Sequence, residues 1–184
     1  MSFERAYIGL GASLGDRLET LRAVVRSVFD GRVPHTRLHA CSRIYETRPI
    51  GAARHRFLNA AIEVETRLAP ADLLGALHDL ETLHGRIRRV RWEDRSLDLD
   101  LLWMSCAGRA LSVDEPQLRV PHPELTFRDF VLAPLADLAP ELDLRGLTVK
   151  ETLEALAEGQ RTIEATLLAP LLLNEAPVLS ELPR

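Results

Sequence analysis

Asp98 and Asp100, in the run Arg95-Ser96-Leu97-Asp98-Leu99-Asp100-Leu101-Leu102, are the residues whose types and spacing most directly imply chemistry. A strand sends alternate side chains to one face, so both carboxylates leave one side and the leucines the other. Two anions so placed repel unless a positive charge sits with them, and an oxygen-only pair suits a hard cation such as magnesium. Arg86, Arg88, Arg89, Arg91 and Arg95 crowd the stretch just upstream. Guanidinium forks grip phosphate oxygens in pairs, and a magnesium ion held by one or two carboxylates completes its shell with substrate phosphates. The chemistry implied is the handling of a nucleoside triphosphate. The same D-x-D spacing also describes a sheet face answered by surface arginines with nothing bound. The leucine-rich opposite face, which needs a core to pack on, weighs toward the first reading.

The rest of the chain narrows the class. Its 184 residues, 46% apolar and 27% charged, suit one globular domain with a substantial core. A formal charge of -4 disfavours a general polyanion binder, so the arginines are expected to serve a small phosphate ligand rather than nucleic acid. Lys150 is the sole lysine, so no P-loop can be built. Gly9, Gly11 and Gly15 follow a strand but miss the G-x-G-x-x-G spacing of a dinucleotide site. Cys41 and Cys106 have neither paired nor metal-ligand spacing and are expected to be buried thiols. No secretory leader and no membrane-spanning run is read, which makes the cytoplasm the expected location.

The elements that must carry these groups follow from periodicity. Residues 6–12 read as a buried strand with close backbone approach at its glycines. A helix is expected from 16 to 29, where Leu18, Leu21, Val24, Val25 and Val28 recur at helical spacing after an acidic start. Residues 36–47 read as one strand and 57–66 as another. In the latter, Leu58, Ala60, Ile62 and Val64 share one face, and Phe57, Asn59, Ala61 and Glu63 the other. Pro70 opens a long helix ending near Gly85, the arginine segment follows as a loop, and the acidic strand spans 97–104. A turn at Ala107-Gly108, a short strand at 110–113, and helices through 130–138 and 148–156 complete the pattern. Hairpin-like neighbours and short connections favour an α+β sheet. The expected boundaries are a domain over 1–158 and an extension over 159–184 of unknown role.

Taken in order, several segments resemble a known family over roughly residues 5–145. They are Gly11-Ala12-Ser13-Leu14-Gly15-Asp16-Arg17, Tyr45-Glu46-Thr47-Arg48-Pro49-Ile50-Gly51, Phe57-Leu58-Asn59-Ala60-Ala61, Gly85-Arg86-Ile87-Arg88, Arg91-Trp92, Arg95-Ser96-Leu97-Asp98-Leu99-Asp100, Val120-Pro121-His122-Pro123 and Arg128-Asp129-Phe130-Val131-Leu132. The set is similar to the 6-hydroxymethyl-7,8-dihydropterin pyrophosphokinases of folate biosynthesis. The resemblance implies a ferredoxin-like α+β core, a central antiparallel sheet flanked by helices, ATP as co-substrate, two magnesium ions, and AMP and the pterin diphosphate as products. Carried over by residue, it implies that Asp98 and Asp100 hold the metals and that Arg86 and Arg95 close over the triphosphate as catalytic groups. Arg88, His122 and Arg128 would contact the nucleotide. Phe57 and Phe130 would sandwich the pterin ring, Asn59 would read its amide edge, Thr47, Pro49 and Ile50 would form the adjacent wall, and Trp92 would cover it. The acceptor of the hydroxyl proton is left open between Asp98, Asp100 and a hydroxide held by metal.

Two departures from the family pattern bear on closure. Ala12-Ser13 stands where the family has Ser-Asn, and Glu93-Asp94 where it has Gly-Pro. The second pair puts carboxylates into a loop expected to meet a triphosphate, where they would repel it or pair with neighbouring arginines. The competing readings are a divergent member that binds a nucleotide or pterin-like ligand without transfer, and a magnesium-dependent phosphoesterase or nuclease. As to assembly, a monomer or a weak homodimer is expected.

Overall fold

The computed structural model describes residues 3–85 and 94–172. β1 (Glu4–Ala12) leads into α1 (Arg17–Phe29), whose first turn is capped by Asp16 accepting from the Glu19 N–H at 3.1 Å. β2 (Thr36–Cys41), β3 (Ile44–Thr47) and β4 (Phe57–Thr66) precede α2 (Pro70–Leu83), which starts on Pro70 where a missing N–H costs nothing. β5 (Asp98–Cys106), β6 (Arg109–Ala110) and the small hairpin β7 (Val113–Glu115) with β8 (Leu118–Val120) follow. α3 (Asp129–Leu138), α4 (Val149–Glu154) and β9 (Ile163–Leu167) close the chain order.

Among the described residues, the main sheet runs β6-β5-β1-β4-β3-β9, with β2 also on β4, and every pairing is antiparallel. The order β5-β1-β4-β2 with α1 and α2 as crossovers is the expected ferredoxin-like α+β core. Ala6, Ile8 and Leu10 of β1, with Leu58, Ala60, Ile62 and Val64 of β4 and Leu99 and Leu101 of β5, pack against Leu21, Val24, Val25 and Val28 of α1 and Leu73, Leu77 and Leu80 of α2. The opposite face divides in two. Tyr7, Leu102 and Trp103 pack under Leu132 and Leu135 of α3 and Val149 of α4, whereas the stretch holding Gly9, Gly11, Asp98 and Asp100 is left for the site. A bulge marks the division: the β1–β5 register shifts between Tyr7 and Ile8, so Leu102 and Trp103 both turn toward α3.

Three local differences from the sequence expectation have physical causes. The strand expected over 36–47 breaks after Cys41, where Ser42 Oγ takes the Ala61 N–H at 2.8 Å and the Arg43 N–H turns to Asp137 Oδ2 at 3.0 Å. The strand expected at 110–113 is instead the end of β6 and the start of β7. Part of the segment expected to be an extension, Ile163–Leu167, pairs with β3 as an edge strand, and Leu171 is buried in the core. The expectation of two buried thiols holds for neither cysteine: Cys41 is half-buried and Cys106 is exposed. Burial pushes the Cys41 thiol up to about 11, which leaves it protonated and a poor nucleophile at neutral pH. Among the described residues no helix is long and apolar enough to cross a membrane.

Candidate functional site

The site is built across three neighbouring strands. Gly11 at the end of β1 stands opposite Asn59 of β4 on one side and Asp98 of β5 on the other, and Gly9 stands opposite Asp100. A glycine at position 11 keeps this space open, since a Cβ there would press on Asn59 Oδ1 at 3.2 Å and touch the Asp98 Cβ at 3.8 Å. The strand alternation that puts Asp98 and Asp100 on one face thus also puts them on the face of Asn59, with only bare backbone between. The Asn59 carboxamide is fixed by its Nδ2 donating to Thr47 Oγ1 at 2.9 Å, both residues being buried. Its Oδ1 is left over Gly11 as an acceptor.

A cleft opens above this floor, lined by Gly11, Thr47, Arg48, Ile50, Ala53, Phe57, Asn59, Arg95, Asp98, Arg128 and Phe130. Eight of the residues expected from sequence meet there: Thr47, Ile50, Phe57, Asn59, Arg95, Asp98, Arg128 and Phe130. Phe57 and Phe130 are each half-buried, so neither is spent in the core, and they reach the cleft from β4 and from the start of α3. Pro49 sits between the lining residues Arg48 and Ile50 without lining the cleft itself, and Asp100 and His122 lie just beyond it. Arg86, Arg88 and Trp92 lie outside the described residues. Gly11, Arg48 and Ala53 line the cleft without having been singled out as site residues. For Gly11 the close backbone approach of a strand glycine was the available signal, and for Arg48 its place directly after Thr47.

Charge is concentrated here. Among the described residues, Arg48, Arg95 and Arg128 line the cleft against one carboxylate, Asp98. Arg95 Nη1 donates to Asp98 Oδ2 at 2.5 Å, so among the described residues Arg95 supplies positive charge beside the first of the two acids. Its backbone is held from the other side, the Arg95 N–H donating to Ser13 Oγ at 2.8 Å and the Ser13 N–H to the Arg95 carbonyl at 2.9 Å. Burial pulls the Arg128 guanidinium down from its ordinary value, and Glu124, Asp100 and Asp98 act against that fall. Arg128 also sits 5.5 Å from the Phe130 ring centroid, in cation–π range. His122 is held below the ordinary imidazole value, first by burial and then by Arg128. Its Nδ1 accepts from the Glu124 N–H at 3.2 Å, which leaves the proton of the neutral ring on Nε2.

The departing residue Asp94 does not line the cleft, and among the described residues it pairs with no guanidinium. It accepts from the Arg54 and His55 N–H groups and pairs with His55 Nδ1 at 2.8 Å, fastening the residue just before Arg95 to the loop after β3. On the far side of β5, the Leu99 N–H, between the two site aspartates, donates to Glu81 Oε1 of α2 at 2.8 Å.

The donor chemistry fits a hard cation. Asp98 and Asp100 offer oxygen only, and no group of three or more His, Cys, Asp or Glu side chains is gathered for a metal among the described residues. A cation held by two carboxylates must take its remaining ligands from substrate oxygens and water, as magnesium does and as a structural zinc site does not.

Residues 7–140 match the family 7,8-dihydro-6-hydroxymethylpterin-pyrophosphokinase (HPPK). The chain is 45% identical over 142 residues to a 2-amino-4-hydroxy-6-hydroxymethyldihydropteridine pyrophosphokinase of Pseudomonas aeruginosa, covering 77% of this chain and 84% of that one. It is 40% identical over 140 residues to the protein of the same name from Bacillus subtilis, covering 75% and 80%. Among solved structures, an HPPK-DHPS crystallised in complex with substrates superposes with a TM-score of 0.63 at 12% identity, covering 84% of this chain and 43% of that one. The chain therefore spans less than half of that protein, and at this identity the likeness shows the fold alone.

Proposed function

The chain belongs to the 7,8-dihydro-6-hydroxymethylpterin-pyrophosphokinase family, which transfers pyrophosphate from ATP to the hydroxymethyl group of 6-hydroxymethyl-7,8-dihydropterin, and we propose that the cleft over Gly11 is where it does so. The observation that carries this assignment is the register Asn59–Gly11–Asp98 across β4, β1 and β5. It sets a ring-reading amide and a phosphate-handling acid on the two strands that flank β1, facing one cleft across Gly11.

Phe57 and Phe130 clasp the flat pterin ring, each stacked pair contributing roughly 0.5–1.5 kcal/mol beyond area burial. Asn59 Oδ1 accepts from the ring's N–H edge, and Thr47, Pro49 and Ile50 wall it. Trp92, which lies outside the described residues, covers it. Arg95 and Arg128, with Arg86 and Arg88 of the segment outside the described residues, hold the triphosphate, and His122 offers its Nε2–H to a phosphate oxygen. Asp98 and Asp100 would hold two magnesium ions, which supply electrostatic stabilisation to the phosphate oxygens. The pterin hydroxyl oxygen attacks the β-phosphorus and gives its proton to Asp98 or Asp100, the bond from that phosphorus to the oxygen bridging it to the α-phosphate breaks, and AMP leaves with that oxygen. The protein's contribution is alignment and a preorganised field that needs no rearrangement as charge develops. Small-molecule substrates, a cytoplasmic location and a monomer or weak homodimer complete this reading, which the net charge of -4 supports over nucleic-acid binding.

The test is AMP release from ATP with and without 6-hydroxymethyl-7,8-dihydropterin, in magnesium and after chelation. AMP formed only with both pterin and magnesium supports transfer. A ligand-induced thermal shift without AMP would identify a binding protein instead and would refute the catalytic assignment.

A further inference from the structure

The segment over residues 161–164, beyond the stretch that matches the family, touches three walls of the cleft at once. Asp129, 2% exposed, stands between Arg128 and Phe130. Its carboxylate accepts from the Thr162 N–H, from Thr162 Oγ1 at 2.5 Å and from the Ile163 N–H at 2.9 Å. Across the cleft, the Arg48 N–H donates to the Thr162 carbonyl at 3.1 Å, and Arg48 Nη2 donates to the Arg161 carbonyl at 3.0 Å. Arg48 directly follows Thr47, the partner of Asn59. One residue further on, Glu164 pairs with Arg56 at 2.5 Å, beside Phe57. Thr162, 5% exposed, is therefore gripped through its N–H and hydroxyl by the wall that carries Phe130 and through its carbonyl by the wall that carries Thr47.

We propose that residues 161–164 are a strap that sets the width of the ring slot, with Asp129 and Thr162 as positioning residues for Phe130 and Arg128. This rests on the pterin assignment above. The two aromatic residues come from separate elements, β4 and α3, and stacking on both faces of a ring requires their separation to be held within tenths of an ångström. A buried carboxylate that accepts three bonds from one short segment is a stiff link, because each alternative position would leave a charge desolvated. Simple fastening of an edge strand would call for no such link between the neighbours of the ligand residues.

Thr162→Val removes only the hydroxyl bond and keeps the shape, and Thr162→Ser restores it. The expected result for Thr162→Val is a rise in pterin KM of about five-fold, the weight of one ordinary hydrogen bond, with kcat at saturation little changed and recovery in Thr162→Ser. Asp129→Asn is expected to raise the same KM, and the double variant to be no worse than the poorer single, since both act through one link. A lowered melting temperature with unchanged pterin KM in Thr162→Val would overturn the strap and leave a purely structural bond. Should Thr162→Val fail to fold, Thr162→Ala carries the same expectation. Amide hydrogen exchange judges the strap apart from activity: faster exchange at residues 47–50 and 128–131, with α1 unchanged, supports it. No change there would overturn it whether or not the unsubstituted protein makes AMP.

Discussion

Gly11 has no side chain, and the space above its Cα is shared by three groups of the site, with Asn59 Oδ1, the Asp98 Cβ and a Phe57 ring carbon all within 4.0 Å of where a Cβ would go. A retreat of Asn59 by the few tenths of an ångström required would strain its 2.9 Å bond to Thr47. Gly11→Ala is therefore expected to raise the pterin KM by about ten-fold, equivalent to roughly 1.4 kcal/mol, with a smaller effect on the ATP KM, as initial-rate kinetics on both substrates would show. The acids respond differently. Removing Asp98 or Asp100 deletes an oxygen needed only where phosphate charge develops, so Asp98→Ala and Asp100→Ala should each lower kcat by at least roughly 100-fold while the fold survives. Turnover near the unsubstituted level in either variant, measured by the AMP assay, would disprove the metal-binding role.

β5 carries the acid pair, but α2 holds β5 in place at that point. Leu99 lies beyond the reach of β6, which pairs only with Ser105 and Cys106, so its N–H is satisfied by Glu81, 1% exposed on α2. Glu81→Leu would leave that N–H buried without an acceptor, at a cost of about 1–3 kcal/mol. Glu81→Gln keeps an acceptor and should cost less, an order that urea unfolding of the two variants would check. An equal cost would show that the charge rather than the bond matters. Such tertiary bonds mark the edge of what the sequence makes legible. β4 was readable in full because its alternation extends over the whole of Phe57–Thr66, with both faces patterned. The split between β2 and β3 was not, because a hydroxyl bond from Ser42 to a strand far along the chain causes it. β9 is mostly exposed, so it carries little hydrophobic signal and is recognisable only by its partner β3. The same holds at the site. Asp98, Asp100, Phe57 and Asn59 announce themselves by type and spacing, whereas Arg48 and Ala53 line the cleft only through the packing of a loop.

At the scale of the whole molecule, pH reaches the fold through two half-buried imidazoles at separate places. His84 at the end of α2 and His122 beside the cleft are both held below the ordinary value of 6.5, in each case first by burial and then by an arginine, Arg32 for His84 and Arg128 for His122. A histidine whose folded value is depressed binds its proton more readily in the unfolded chain. The unfolded state thus holds more protons between the two values, and stability rises with pH across that window. The contribution is fully present above about pH 6.5 and is lost as the pH falls below it, by at most about 1.4 kcal/mol per pH unit for each histidine. Asp94 and Glu151, whose carboxyls are depressed instead, lose their contributions only below the ordinary carboxylate value near 4, so the two classes separate on the pH axis. Urea midpoints measured at pH 7.5, 6 and 5 should therefore fall across that interval, and His84→Gln should flatten the fall without altering pterin KM, since His84 stands outside the cleft. His122→Gln should flatten it too, but with a raised ATP KM. A midpoint that stays level from pH 7.5 to 5, or a His84→Gln profile parallel to the unsubstituted one, would show that these rings are not what acid acts on.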